Sequence, residues 1–400
     1  QKPVMVFLHG GGYFSGSAIH LTCYEGKEQA LLGDVVSVTV NHRLNVLGFL
    51  DLSQYGDDFR ESGNVGILDL VEALKWVQEN IASFGGNPDN VTIYGHSGGG
   101  GKVTTLMQMP CADGLYHKAI IMSGITRMEG PVDGLPMRIT RETAQKNARI
   151  LVNAAGGTDK LQSMPVNELM VLVPHTFKDH FFWSPVPGAG DYPGDPGQAG
   201  IREETGNIPV MIGNALCEFS GPADSRDKSQ VTEGEVVKKL SEKYGLKGPA
   251  LYDIYKKTYP NLKPYYALTL IPMAFRQDVN LFSEKRADLS DAPVYEYLLT
   301  YESAYNGGTI SWHGVELPFV FHNAEDKGCV FNGEQTWVTQ EEIFNAWIHF
   351  AKYGNPNHDL LPKWDPFTRE HRACMVFGAP SACRVNHDEE LLSIINELKG

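Results

Sequence analysis

Three features of the sequence predict an α/β fold with a central, mostly parallel sheet and helices on both faces. Val4–Leu8 and Val35–Val40 are continuous apolar runs, as expected of strands covered on both sides. A long segment of helical periodicity, Gly66–Phe84, separates them from the next strands, so strands and helices alternate along the chain. Two glycine clusters, at 10–12 and 98–101, fall just after predicted strands, at the edge where parallel sheets place their sites.

Taken in order, Val4–Leu8 reads as a central strand ending at His9-Gly10-Gly11-Gly12-Tyr13. Val35–Val40 is a second strand, followed by Asn41-His42-Arg43-Leu44. In Gly66–Phe84 the residues Ile67, Leu70, Leu74, Val77 and Ile81 recur at helical spacing, and Gly85-Gly86-Asn87-Pro88 ends the segment. Val91–Tyr94 alternates like a buried strand and runs into Gly95-His96-Ser97-Gly98-Gly99; a helix is expected over Val103–Met109. Ala119–Met122 is the next strand, ending at Ser123-Gly124. Signals loosen between 130 and 207, where Arg141–Asn153 reads as a helix and Phe177–Gly200, rich in aromatics, proline and glycine, as a long loop. Ile208–Gly213 is a strand followed by Cys217-Glu218-Phe219, and Glu233–Tyr259 reads as helices. Val294–Thr300 is a strand; a glycine-bearing loop then leads to Ser311-Trp312-His313-Gly314. Glu341–Tyr353 is a helix cut off by Gly354-Asn355-Pro356, Cys374–Phe377 a last strand and Glu389–Lys399 a last helix. With no repeat and no convincing linker, one domain over 1–400 is expected, with insertions at about 130–205 and 221–290 shaping a substrate pocket.

Charged residues are 20% and hydrophobic residues 42% of the 400, an ordinary globular balance. The net charge of −14 leaves no basic excess to neutralise phosphates, so nucleic acid is not an expected partner. No apolar run spans a bilayer, so no membrane partner is expected. The six cysteines form no Cys-x-x-Cys pair, which speaks against zinc and a redox pair; free thiols and a cytoplasmic setting are expected, with Cys374–Cys383 the one locally plausible bridge. The chain starts abruptly at Gln1-Lys2-Pro3 and reads as a mature or cut chain, so a secreted protein that has lost its leader is the alternative. The sequon Asn90-Val91-Thr92 leads into a predicted buried strand and is read as chance.

Strand, Gly-x-Ser-x-Gly, helix is the context of a nucleophile elbow. A serine hydroxyl must stand clear of the sheet on a tight turn, and Gly95 and Gly99 omit the Cβ atoms that would clash there. The turn places Ser97 at a helix N-terminus, where unpaired N–H groups favour developing negative charge. Alone the motif is weak in a chain with 42 glycines. The second cluster strengthens it: the backbone N–H groups of Gly11, Gly12 and Gly98 are the expected oxyanion donors. Among 13 histidines, His313 is chosen as the base because it follows a late strand in the order Ser…Asp/Glu…His, and Glu218 as the acid because it follows the Ile208–Gly213 strand. Gly101-Lys102-Val103 resembles the end of a phosphate loop but has His96 and Val103 where that loop needs Gly and Ser or Thr. His313 and Glu316 find no third metal ligand, and no cofactor is expected.

These residues resemble the type-B carboxylesterases, a family that includes the cholinesterases and bacterial p-nitrobenzyl esterases. The run from Phe84 through Gly95-His96-Ser97-Gly98-Gly99-Gly100 carries most of the resemblance. His9-Gly10-Gly11-Gly12-Tyr13, Asn41 through Phe49, Gly63 through Asp69, His313 through Phe321 and Trp347 through Pro356 support it, so that it spans about Pro3 to Gly378. It implies an α/β-hydrolase fold and hydrolysis of small-molecule carboxylic esters through an acyl-enzyme, with Ser97 as nucleophile, His313 as base, Glu218 as triad acid and Phe181 and Trp183 lining the acyl side of the pocket. The family usually has Glu before the nucleophile and Ala after it; here stand His96 and Gly98, and His96, placed in the pocket, removes a carboxylate that would favour cationic substrates. Cys217 and Phe219 replace the usual acid and glycine around Glu218. The family's segment ahead of the first glycine loop is not in this chain, which implies that the full-length chain or another chain supplies it. A binding protein on the same scaffold is the rival reading.

Overall fold

In the central strands alternate residues enter one of two apolar layers, so these strands are covered on both faces. In the first strand Val4, Val6 and Leu8 face one layer with Ile67, Leu70 and Leu74, while Met5 and Phe7 face the other with Phe344, Trp347 and Phe350. The computed structural model describes residues 1–124, 128, 139–178, 182–218, 226–270 and 275–399. Its strands are β1 (Lys2–Leu8), β2 (Val36–Val40), β3 (Gly86–His96), β4 (Lys118–Met122), β5 (Val210–Ala215), β6 (Val294–Leu299), β7 (Glu302–Ser303), β8 (Thr309–Ile310), β9 (Ala373–Phe377) and β10 (Ala382–Val385). Eight of them form one sheet in the order β10-β9-β6-β5-β4-β3-β1-β2, and β7 and β8 form a separate antiparallel pair. All neighbours in the large sheet are parallel except β9 and β10. With helices packed on both faces, this is the α/β-hydrolase architecture.

The register brings the strand ends to a common edge: Leu8 lies opposite Gly95, His96 opposite Met122, and Ala215 opposite Leu299. The loops carrying residues 9–12, 97, 123 and 218 therefore all leave the sheet on one side.

Most boundaries agree with the sequence pattern to within a few residues; the exceptions have local causes. The helix after β3 starts at Gly98 rather than Val103. Four consecutive glycines carry low helix propensity, but a Cβ on Gly98, Gly99 or Gly100 would come within 2.4, 2.0 or 2.6 Å of neighbouring backbone. Tertiary packing decides the conformation there, and it requires glycine. Among the described residues, the region expected to be loose contains three further α-helices, Thr158–Ser163, Val166–Phe177 and the single turn Pro196–Ala199, which falls inside the stretch read as a loop. Pro165 sits at the N-cap of the second, and Pro174 lies inside it, where proline reads as a breaker. Residues 233–259 form helices as the pattern expects, Glu233–Tyr244 and Lys247–Thr258, parted at Gly245 with φ 57°. β7, β8 and β10 are too short to show a period. None of the six cysteines is bridged. The Cys374–Cys383 bridge is excluded by register: Cys383 pairs with Met375 and Cys374 with Arg384, so the two thiols point to opposite faces. Among the described residues no helix is long and apolar enough to cross a membrane.

Candidate active site

β3 ends in a turn that forces Ser97 to φ 59°, ψ −125°, backbone that a non-glycine residue rarely adopts. The turn is held by Ser97 N–H donating to the Met122 carbonyl at 2.9 Å and by Gly101 N–H donating to the Ser97 carbonyl at 3.0 Å. A Cβ on Gly95 would lie 2.5 Å from the Gly99 carbonyl carbon, so the turn closes only with glycine at that position.

The loop after β1 lies directly against this turn. A Cβ on Gly98 would meet the Gly12 Cα and nitrogen at 2.4 Å, and one on Gly10 would lie 3.6 Å from the Ser97 Cβ. Gly11 and Gly12 have φ of 92° and 62°. Among the described residues, no backbone carbonyl accepts the N–H of Gly11, Gly12 or Gly98. Gly98 at the position after the serine is thus explained by the approach of Gly12, which leaves no room for a methyl group.

His313 and Glu218 come from loops 95 residues apart and meet at the same edge. The His313 Nδ1 is 2.5 Å from Glu218 Oε2, and the His313 backbone N–H donates to the Glu218 carbonyl at 2.6 Å. Ala215 N–H donates to Glu218 Oε1 at 2.9 Å, and the carboxylate is buried. Burial works against a charged His313, but the hydrogen bond and charge of Glu218, with Glu316 adding to them, raise its pKa above the ordinary imidazole value. Ser97, His313, His96 and the Gly10–Gly11 loop line one cleft of about 500 Å³, walled further by Leu21 and Trp312.

Behind His313 lies a buried polar group that the sequence had not assembled. The His96 ring centroid is 4.4 Å from that of His313, and His96 Nε2 is 3.8 Å from Glu316 Oε1, which accepts the Ser123 hydroxyl at 3.0 Å. Burial, then the Glu218 charge, pushes the Glu316 carboxyl up to about 7. Burial and His313 hold His96 well below the usual range, so it is neutral. Ser123 follows β4 at the common edge with φ 43°; its place after a strand is the one sequence signal that points to it. In the sequence Glu316 reads beside His313 only as half of a metal pair; among the described residues no group of three or more His, Cys, Asp or Glu is arranged to hold a metal.

Of the expected pocket residues, His96 lines the cleft. Trp183 does not: it is 2% exposed and packs in the core layer, its ring 6.1 Å from Phe177. Phe181 lies outside the described residues. Phe14, 41% exposed, stands over Gly12 and meets Phe182 edge to face at 5.3 Å, an aromatic rim not expected from the sequence.

A serine on a strained strand-to-helix turn, an imidazole held by a buried carboxylate and a glycine loop with open N–H groups are the parts of a serine hydrolase. Residues 1–392 match the carboxylesterase family, and the chain belongs to it. Para-nitrobenzyl esterase of Bacillus subtilis is 30% identical over 404 residues, covering 97% of this chain and 78% of the relative. Human carboxylesterase 3 is 31% identical, covering 95% and 69%. A solved structure of an esterase from anaerobic Clostridium hathewayi, described as able to hydrolyse aliphatic aromatic polyesters, superposes with a TM-score of 0.89 at 35% identity, covering 100% of this chain and 79% of that one. The chain is accordingly a carboxylic ester hydrolase acting on small-molecule esters.

Proposed function

We propose that the ester is cleaved through an acyl-enzyme by a Ser97–His313–Glu218 triad with Gly11, Gly12 and Gly98 as oxyanion donors. The observation that carries this reading is the Glu218–His313 pair opening onto the cleft that Ser97 also lines. Ser97 Oγ attacks the carbonyl while His313 Nε2 takes its proton. The three N–H groups receive the charge that develops on the carbonyl oxygen, and His313 returns the proton to the leaving alcohol. Water activated by the same imidazole then releases the acid. Glu218 fixes the proton on Nδ1, so that Nε2 is free to accept. Incubation with an organophosphate is expected to add one phosphyl group, located on Ser97 by peptide mass analysis; labelling elsewhere with Ser97 untouched would end this reading.

The rim supports esters that carry an aromatic group. Phe14 and Phe182 offer ring edges above the oxyanion loop, and the similar Clostridium hathewayi esterase is described as acting on aliphatic aromatic polyesters. Phe14→Ala is expected to raise KM for p-nitrophenyl benzoate about fivefold, the loss of one aromatic contact of about 1 kcal/mol, and to leave p-nitrophenyl acetate unchanged. An unchanged benzoate-to-acetate KM ratio would count against the rim.

A further inference from the structure

Lys102 is a fully buried basic side chain that the mechanism above does not use. Lys102 lies in the helix that follows Ser97, its side chain fully buried, and among the described residues it has no carboxylate within ion-pair distance. Its Nζ donates to the carbonyl of His9 at 2.8 Å. His9 is the residue at which β1 gives way to the Gly10–Gly12 loop. On the far side of the loop the Tyr13 hydroxyl lies 3.1 Å from Thr105 Oγ1, on the same helix. The three glycines are therefore bracketed by two side-chain clasps, both anchored to the element that carries the nucleophile.

Glycine loops need such support. Gly11 and Gly12 have no side chains to pack, and their positive φ values are among many that glycine adopts at little cost. Oxyanion donors act only when they are fixed before the charge appears, and a displacement of about 1 Å can cost roughly a hundredfold. We propose that Lys102 is a positioning residue of the oxyanion loop: by holding the His9 carbonyl from the nucleophile helix, with Tyr13 and Thr105 closing the other end, it sets the Gly11 and Gly12 N–H groups against the Ser97 turn. The inference rests on the ester-hydrolysis reading of that turn. Burial pushes Lys102 down to about 7, but the ammonium and the neutral amine both carry N–H groups, so the clasp on His9 holds in either state. The neighbouring imidazoles of His9 and His42, lowered by burial and then by Lys102 itself to about 4 and about 3, are neutral.

The test compares wild type, Lys102→Met, Lys102→Arg, Tyr13→Phe and Ser97→Ala on p-nitrophenyl acetate, with kcat expressed per site titrated by an organophosphate where Ser97 is kept and per mole of folded protein for Ser97→Ala. Titration removes any unfolded fraction from the comparison. Lys102→Met is expected to lower kcat per site by roughly tenfold or more with KM nearly unchanged. It should weaken binding of a trifluoromethyl ketone, which forms a tetrahedral adduct with an oxyanion, by a similar factor. Lys102→Arg, which keeps a donor, should recover part of the loss, and Tyr13→Phe, which deletes one hydroxyl, should show a smaller fall of the same kind. A Lys102→Met enzyme with kcat per site within twofold of wild type, whatever its melting temperature, would overturn the proposal, as would a loss confined to KM or equal losses in Met and Arg. Turnover retained by Ser97→Ala would instead remove the reading of the turn itself, so the two failures are separable.

Discussion

Ser97→Ala is expected to lower kcat on short p-nitrophenyl esters by roughly six orders of magnitude, the scale seen when the nucleophile of a serine triad is deleted. KM should change little, because the hydroxyl gains its main interactions only as the carbonyl becomes tetrahedral. The variant is a fair test of chemistry because the backbone demand is unchanged: alanine meets the same cost at φ 59° as serine does. Ser97 N–H still donates to the Met122 carbonyl, and Gly95 and Gly99 still close the turn. Folding is checked by thermal unfolding beside wild type, and activity by initial rates with excess enzyme. A variant that turns over substrate above about one-hundredth of the wild-type rate would place the nucleophile elsewhere.

Replacing Glu218 by Gln should cost about four orders of magnitude in kcat, with a characteristic change in pH dependence. The side chain keeps its length, and its carbonyl oxygen can still accept from Ala215 N–H. Its amide NH2 then faces His313 Nδ1, which must accept; the ring proton moves to Nε2, the position that has to take the serine proton. Substitutions that trap the wrong tautomer in serine triads cost about 10⁴. The pH argument follows from the charge. Burial disfavours a charged His313, and the Glu218 bond and charge outweigh it, raising the pKa in the wild type. The base works only when neutral, so wild-type kcat/KM should fall as pH drops through a midpoint above the ordinary imidazole value. Without the carboxylate the imidazolium loses its main support, and the midpoint of the residual activity should move to lower pH. A midpoint that stays in place or rises would show that Glu218 does not govern this histidine.

The parts of the fold written in local pattern could be read from the chain alone. Val4–Leu8 and Ala119–Met122 are apolar without interruption because both faces of the sheet are covered, and that leaves a mark in the sequence. Ser97 stands out because the turn around it requires glycine at 95, 98 and 99, and His313 and Glu218 because each follows a strand in a fixed order. The rest depends on partners far away in the chain. Gly98–Gly101 carry no sign of helix; close approach of Leu8, Gly12 and Gly124 makes them one. Ser123 and Glu316 are 193 residues apart, and neither suggests the other until β4 delivers Ser123 beside the loop that follows β8. The resemblance alone puts Trp183 at the pocket, and nothing local in the sequence distinguishes an aromatic residue facing a ligand from one packed in the core. In the sequence Lys102 resembles only the end of a phosphate loop that lacks its key residues; its reach to the His9 carbonyl spans 93 positions and leaves no local trace.

The common edge of the sheet has a bearing on how the protein matures. The serine turn, the carboxylate and the imidazole come from positions 97, 218 and 313, so the three meet only once the chain has been made through position 313. With the proposed triad, hydrolytic competence is a late property, absent from any chain that stops short of His313. A reactive hydroxyl that arises only in the finished architecture is one that the nascent polypeptide never carries unguarded.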